Sequence, residues 1–238
     1  MLFNSPLSSS KADLLVGLLP LEPGGRAIDV GCGTGEFLLH VVEAHGVHGV
    51  GVDIHAASME TAKEKASSRG CVDKVEFLKK DIRKLEWDEP FDCGICMGAT
   101  HAYAMDEPAY SETLKGLGGI LKPGGTLLVG ESFWEKEPAQ VYVDFVGEPS
   151  GTYRTHRENV ELAEQYGFRI LYATTSNLDE WDDFEWRHHM RIEEMARENP
   201  DDPEAIKKRD HGQAWRTAYL KWGRGTLGFG FYLFRKEY

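Results

Sequence analysis

The chain has 238 residues with a hydrophobic fraction of 41%, enough to pack one core of ordinary domain size and too much for a disordered polymer. A formal net charge of -12 repels double-stranded nucleic acid, and the basic cluster Lys207 to Arg209 sits among acids and reads as a solvated helix face. No apolar run is long enough to span a bilayer, the N-terminus lacks the basic start and apolar core of a secretory signal, and four cysteines without framework spacing point to a reducing cytoplasm.

In chain order, a short helix is expected over Lys11 to Leu19, where Leu14, Leu15, Leu18 and Leu19 recur at helical spacing. Strand one is Ala27 to Val30, followed by a helix from Glu36 to His45. Strand two is Gly49 to Asp53, and the next helix runs from Ala57 to Arg69, with Gly70 as its stop. Strand three is Lys74 to Leu78, and strand four, Phe91 to Met97, is apolar throughout if its cysteines are counted. A helix over Ala109 to Leu121 stops at Pro123-Gly124-Gly125, before strand five at Thr126 to Gly130. Short apolar runs between helices imply a parallel sheet covered on both faces.

The last third of the chain departs from that alternation. "RENVELAEQYGFRILYATTS" reads as a helix, a stop at Gly167 and a sixth strand, and "TLGFGFYLFR" alternates as the final strand. Two helices lie between them. Trp181, Phe184, His188, Ile192 and Met195 share a face of the first. In the second, Asp202 caps, Pro203 takes the first turn, and Ile206, Ala214, Trp215, Ala218, Tyr219 and Trp222 line much of one face. The chain thus reads as one domain, 1–238, with a helical insertion at about 180–222 that covers either its own small core or the mouth of a site.

The segment "AIDVGCGTGEF", Ala27 to Phe37, runs a buried strand into Gly31, Gly33 and Gly35. Such a bend lets a ligand lie on bare backbone, and in an open parallel sheet the ligand crevice lies at the carboxyl ends of the strands. A dinucleotide fingerprint requires G-x-G-x-x-G with pyrophosphate on the helix N-terminus. Here the spacing is G-x-G-x-G, Glu36 stands where the third glycine would be, and Asp29 lies just upstream, a setting that favours a cationic, ammonium-bearing ligand. Asp53 ends strand two about twenty residues past the bend, where a carboxylate accepts from ribose hydroxyls. Asp81, after strand three, can accept from an adenine amino group, with Ile82 on the ring face. Three acids at adjacent strand ends fit a sulfonium nucleoside amino acid.

These segments, with "VGVDIH", "KKDI", "FDCGICMGATHAY" and "LKPGGTLLVGESFW", resemble the successive motifs of the class I methyltransferases that use S-adenosylmethionine (SAM). "MGATHAY", "GESFW", "DEWDDFEW" and "ENPDDPEA" further resemble the YjhP-like group of bacterial methyltransferases, a likeness that says little about substrate. The resemblance implies an α/β, Rossmann-like fold with a seven-stranded, mostly parallel sheet whose last strand is antiparallel. It implies SAM as cofactor and S-adenosylhomocysteine as product. By motif, Asp29, Gly31, Cys32, Gly33 and Gly35 shape the methionine side, Cys32 through its backbone. Asp53 with Ile54 takes the ribose, Asp81 and Ile82 take adenine, and Met97 and Gly98 line the floor near the methyl. The N-terminal region is short for such enzymes, so part of the usual substrate lid is expected to be missing or rebuilt.

Methyl transfer needs a nucleophile held in line with the methyl, and a general base only if the acceptor is protonated. Catalytic candidates are His101, just after strand four, and Glu131, read as the end of strand five and suited to orienting an amine or cationic acceptor. Tyr103, Trp134 and Tyr153 are candidate substrate contacts, and Arg154 and His156 lie in the same loop as Tyr153. Trp181 and Trp186 with His188 and His189 suggest an aromatic lid, although for Trp181 helical spacing favours plain core. Cys93-x-x-Cys96 has zinc-like spacing but puts its thiols on opposite faces of a strand, so no metal is expected.

The leading expectation is therefore a SAM-dependent methyltransferase acting on a small molecule in the cytoplasm, with no nucleic-acid or membrane partner and no assignment of oligomeric state. A DNA amino-methylating enzyme would show a short Asn/Asp-Pro-Pro-aromatic run where this chain reads "MGATHAY". Three alternatives stay open: a non-catalytic SAM-binding sensor or scaffold, a nicotinamide-dependent oxidoreductase, and a lipid-cyclopropanating SAM enzyme. An open crevice near His101 and Glu131 favours catalysis, whereas a pocket plugged by the insertion's tryptophans favours sensing.

Overall fold

A computed structural model describes residues 2–105, 109–147 and 152–238. Its centre is a seven-stranded sheet in the order β3-β2-β1-β4-β5-β7-β6. The first four strands are β1 (Arg26–Val30), β2 (His48–Asp53), β3 (Val75–Lys79) and β4 (Phe91–Met97). The others are β5 (Leu121–Trp134), β6 (Phe168–Thr175) and β7 (Leu227–Lys236). Only β7 runs against its neighbours, pairing antiparallel with β5 on one side and β6 on the other. The remaining pairs are parallel, so their connections are crossovers and helices must cover both faces.

Period-two burial sorts the strands between two cores. One face sends Cys93, Ile95, Leu128, Phe231 and Leu233 into a cluster with α1 (Ser9–Gly17), α2 (Glu36–His45) and α3 (Ala56–Ser68). The opposite face sends Cys96, Leu127, Val129, Tyr232 and Phe234 against α4 (Ala109–Ile120) and α6 (His156–Gln165). Cys93 and Cys96 thus lie on opposite sides of the sheet. A fifth helix, α5 (Gln140–Val146), follows β5.

Three expectations change on folding. In α1 the buried side is Ala12, Leu15 and Val16, with Leu19 just beyond it, while Leu14 and Leu18 are exposed. Its start is two residues earlier than expected because Ser8 caps it, accepting from the Lys11 N–H. Strand β5 continues past Gly130 to Trp134 because β7 offers Gly230 to Leu227 as partners there. Glu131 is therefore inside a strand, not at its end.

Between β6 and β7 lie α7 (Leu178–Glu198) and α8 (Pro203–Ala218). Asn177 and Glu180 form a capping box on α7, and Asp202 caps α8 ahead of Pro203. The buried side of α8 is Ala205, Gly212 and Ala218, whereas Ala214 is exposed. Small residues fit there because Ile192 of α7 lies against Gly212, 3.3 Å from where a Cβ would stand. Trp181 is buried in the first cluster, with Phe184 packed beside it.

The N-terminal segment is tied to this helical pair. Ser176 donates to the Pro6 carbonyl, Ser8 donates to Glu180, and Lys11 forms an ion pair with Glu180. The start of α7 and residues 6–11 therefore form one unit over the sheet's carboxyl edge. Among the described residues no helix is long and apolar enough to cross a membrane.

Candidate functional site

Strand order reverses between β1 and β4, where the chain goes one way to β2 and β3 and the other way to β5. A crevice of about 570 Å³ opens there, at the carboxyl ends of those strands. It gathers Asp29, Gly31, Cys32 and Gly33 from the end of β1, Asp53 and Ile54 from β2, Asp81 and Ile82 from after β3, and Met97, Gly98 and His101 from after β4.

The bend after β1 is held by its neighbour. The N–H groups of Gly31 and Cys32 both donate to the Val52 carbonyl, at 2.8 and 3.2 Å. Gly31 and Gly33 have φ of 70° and 52°, a left-handed backbone that a Cβ opposes. They differ in surroundings. A Cβ on Gly31 would stand 2.2 Å from the Ala99 Cβ, whereas one on Gly33 would meet nothing within 4 Å and would project into open space. Gly35 does not line the crevice. A Cβ on it would come within 2.7 Å of the Phe77 ring, so its smallness serves packing of the α2 start.

Asp53 is held at both oxygens: Oδ2 accepts from the Gly33 N–H and Oδ1 from the His55 N–H, each at 2.9 Å. A carboxylate so fixed presents its remaining lone pairs in a set direction. Asp81 accepts from the Arg83 N–H at 3.0 Å, caps the turn there, and pairs with the Arg83 guanidinium. The Arg83 side chain and backbone N–H hold its pKa down to about 2. Ile54, next to Asp53 in the chain, is exposed at 63%. Asp29 is buried, and its Oδ1 has no hydrogen-bond partner among the described residues. Burial, reinforced by the Asp53 charge, pushes its pKa well above the usual carboxylate range.

Glu36 lines the crevice but opposes an anion less than expected, since Lys65 donates to its Oε2 at 2.6 Å and Arg69 pairs with Oε1. Burial pushes its pKa up, but the Lys65 and Arg69 hydrogen bonds outweigh that and hold it below the usual value.

Several expected contacts lie elsewhere. Glu131 alternates onto the same face as Leu127 and Val129, where its charge acts on Tyr110 and Tyr232, and its Oε1 accepts from the Ser132 N–H. Tyr103 lays its ring over Gly116 of α4. Trp134 packs edge-on against Tyr142 and Tyr153, with ring centroids 6.1 and 5.4 Å away. Arg154 bridges to Phe133, and His156 Nδ1 meets the Tyr232 hydroxyl at 3.0 Å. None of these lines the crevice. For Glu131 and Trp134 the pairing of β5 with β7 as far as Trp134 keeps the residues within the strand, while Tyr103 is held on α4.

Sequence reasoning missed several contributors, Lys80 and Met105 among them. Leu2, Phe3 and Ser5 line the crevice from the N-terminal segment, and Arg191 lines it from α7. Apolar residues before the first helix were the available signal for the former, and Arg191 had none. Among the described residues no tryptophan lines the crevice. Among the described residues no group of three or more His, Cys, Asp and Glu is placed to hold a metal.

Residues 27–125 match the family described as methyltransferase domain. The chain is similar to YjhP of Escherichia coli K12, 28% identical over 95% of this chain and 91% of that protein. The X-ray structure of YjhP aligns with a TM-score of 0.89 at 26% identity, covering 98% of this chain and 94% of the other. Two SAM-dependent methyltransferases in complex with S-adenosylhomocysteine are comparably similar. That from Geobacter sulfurreducens has a TM-score of 0.89 at 26% identity, covering 98% and 92% of the two chains. That from Thiobacillus denitrificans has a TM-score of 0.88 at 26% identity, covering 98% and 93%.

Proposed function

We propose, from the premise that this chain belongs by family and fold to the class I SAM-dependent methyltransferases, that it transfers a methyl group to a small-molecule acceptor in the crevice described above. The observation that carries the reading is the convergence on one crevice of the open Gly33 backbone, the fixed Asp53 carboxylate and the orphaned Asp29 oxygen. We read the whole chain as one such domain, with α7 and α8 as an insertion over the sheet.

SAM fits the residues present. Asp29 Oδ1 is a buried acceptor in need of a donor, and the methionine ammonium is one. Asp53 takes the two ribose hydroxyls. Asp81 and Ile82 take the adenine edge and face, and exposed Ile54 is covered by the nucleoside. Met97 and Gly98 floor the reactive end. The cofactor, when bound, would supply an electrophilic methyl on a sulfonium sulfur to the acceptor's lone pair, with S-adenosylhomocysteine as the leaving group. The chain's own task is to hold the acceptor in line and keep water out, which proximity makes worth several kcal/mol. His101 lines the crevice and is the group in place to take a proton from a protonated acceptor.

A crevice lined by no tryptophan favours catalysis over sensing. Calorimetric titration with S-adenosylhomocysteine, SAM and NAD tests the reading: binding of the first two and not NAD is expected, and NAD binding alone overturns it.

A further inference from the structure

The crevice carries an unanswered cation. Arg191 lines it, and among the described residues its guanidinium makes neither a hydrogen bond nor an ion pair. The cause is local. Positions four away on α7 are Arg187 and Met195, and Glu194, three away, is taken by Arg197. Arg187 has its own partner in Asp183. Three of the four crevice acids are otherwise engaged, Glu36 by Lys65 and Arg69, Asp81 by Arg83, and Asp53 by two backbone N–H groups, and the fourth, Asp29, is buried with an open acceptor assigned above to the methionine ammonium. Lys80 also lines the crevice with no ion pair among the described residues, but it adjoins Asp81 at the nucleoside end.

Besides Ile54 at the nucleoside end, two large apolar side chains line that crevice in exposed positions, Leu2 at 52% and Met105 at 78%. An isolated exposed apolar residue needs no explanation. Two of them on one crevice with an unpaired guanidinium describe a ligand with an apolar body and a compact negative group. Glu131, the acid suited to a cationic acceptor, lies off this crevice.

Resting on the methyltransferase reading, we propose that the acceptor is a small apolar carboxylic acid, its carboxylate held by Arg191 and its body lying against Leu2 and Met105. The cofactor's methionine end also carries a carboxylate, so the test separates the two sources. Protein saturated with S-adenosylhomocysteine is titrated calorimetrically with phenylacetate and octanoate, and with phenethylamine and octylamine. The acids are expected to bind at millimolar concentration and the amines not. Arg191 is exposed, so Arg191→Ala folds. It should weaken both acids about tenfold, Arg191→Lys should retain most of their binding, and affinity for S-adenosylhomocysteine should hold within about twofold.

Equal binding of acids and amines, no binding of either acid, or acid affinity untouched in Arg191→Ala overturns the proposal. So does a loss of S-adenosylhomocysteine affinity in Arg191→Ala with methylthioadenosine affinity unchanged, since methylthioadenosine lacks the carboxylate and Arg191 would then be holding the cofactor's. Failure of the wild-type protein to bind S-adenosylhomocysteine at all would instead sink the methyltransferase reading, and the two failures are distinguishable.

Discussion

Gly31 and Gly33 stand two residues apart on one bend, yet adding a methyl to each should do different things. Both carry a left-handed φ, so alanine at either costs about 1–2 kcal/mol. At Gly31 the new Cβ meets the Ala99 Cβ at 2.2 Å, and ordinary carbon contacts are about 3.5–4.0 Å, so the backbone after β4 must retreat by more than about 1 Å. Overpacking of that kind adds about 1–3 kcal/mol. Gly31→Ala should therefore lose about 2–5 kcal/mol, which in a domain of this size lowers Tm by roughly 5–15 °C. At Gly33 nothing lies within 4 Å, so only the conformational cost applies and Tm should fall by roughly 2–6 °C. The methyl there projects where the ligand is proposed to lie, and affinity for S-adenosylhomocysteine should drop about tenfold. Calorimetric melting and titration read both quantities. Wild-type ligand affinity in Gly33→Ala would refute the placement of the ligand. Equal Tm values for the two variants would refute the steric argument.

Asp53→Ala should weaken S-adenosylhomocysteine binding by about tenfold or more through loss of charge-assisted acceptors, as titration will show, while unfolding remains one cooperative transition. Glu36→Gln breaks the buried pair with Lys65 and Arg69 and should cost about 2–3 kcal/mol at neutral pH. Because the folded Glu36 pKa is depressed, its contribution is present above the unfolded value of about 4.3 and is lost as pH falls through the folded value. The Tm gap between wild type and Glu36→Gln should accordingly close in acid. Asp29 has the opposite sign. Its folded pKa is raised, so the ligand-free protein loses stability as pH rises from about 4 through that value. Asp29→Asn should then gain Tm over wild type at about pH 8 and little at about pH 5. A gap independent of pH would show that Asp29 is not buried as described.

The nucleoside half of the site was legible in the sequence because it is local. Asp53 and Asp81 each lie at or just past the end of a strand, and Gly31 and Gly33 lie in the bend that follows one. Period-two burial and glycine spacing fix such positions before any long-range contact forms. The acceptor half was not legible. Glu131 read as a strand end because "GES" looks like one, and it became strand interior once β7 paired with it. Trp134 and Tyr153 were drawn to aromatic neighbours, and Tyr103 to Gly116 of α4. Glu36 read as an obstacle to anions until Lys65 and Arg69, about thirty residues away, came to rest on it.

By itself the sequence determined the order and type of the seven strands and of the α-helices other than α5, and the chemistry of the glycine bend with its three acids, since each depends on residues within a few positions of one another. Only the tertiary structure decided what faces the crevice from afar. The bonds from Ser176, Ser8 and Lys11 bring residues 2–5 and α7 onto the carboxyl edge together, and α7 carries Arg191 with it. No periodicity encodes that meeting, because it joins segments about 170 residues apart through side-chain hydrogen bonds whose partners are chosen only when the sheet is complete.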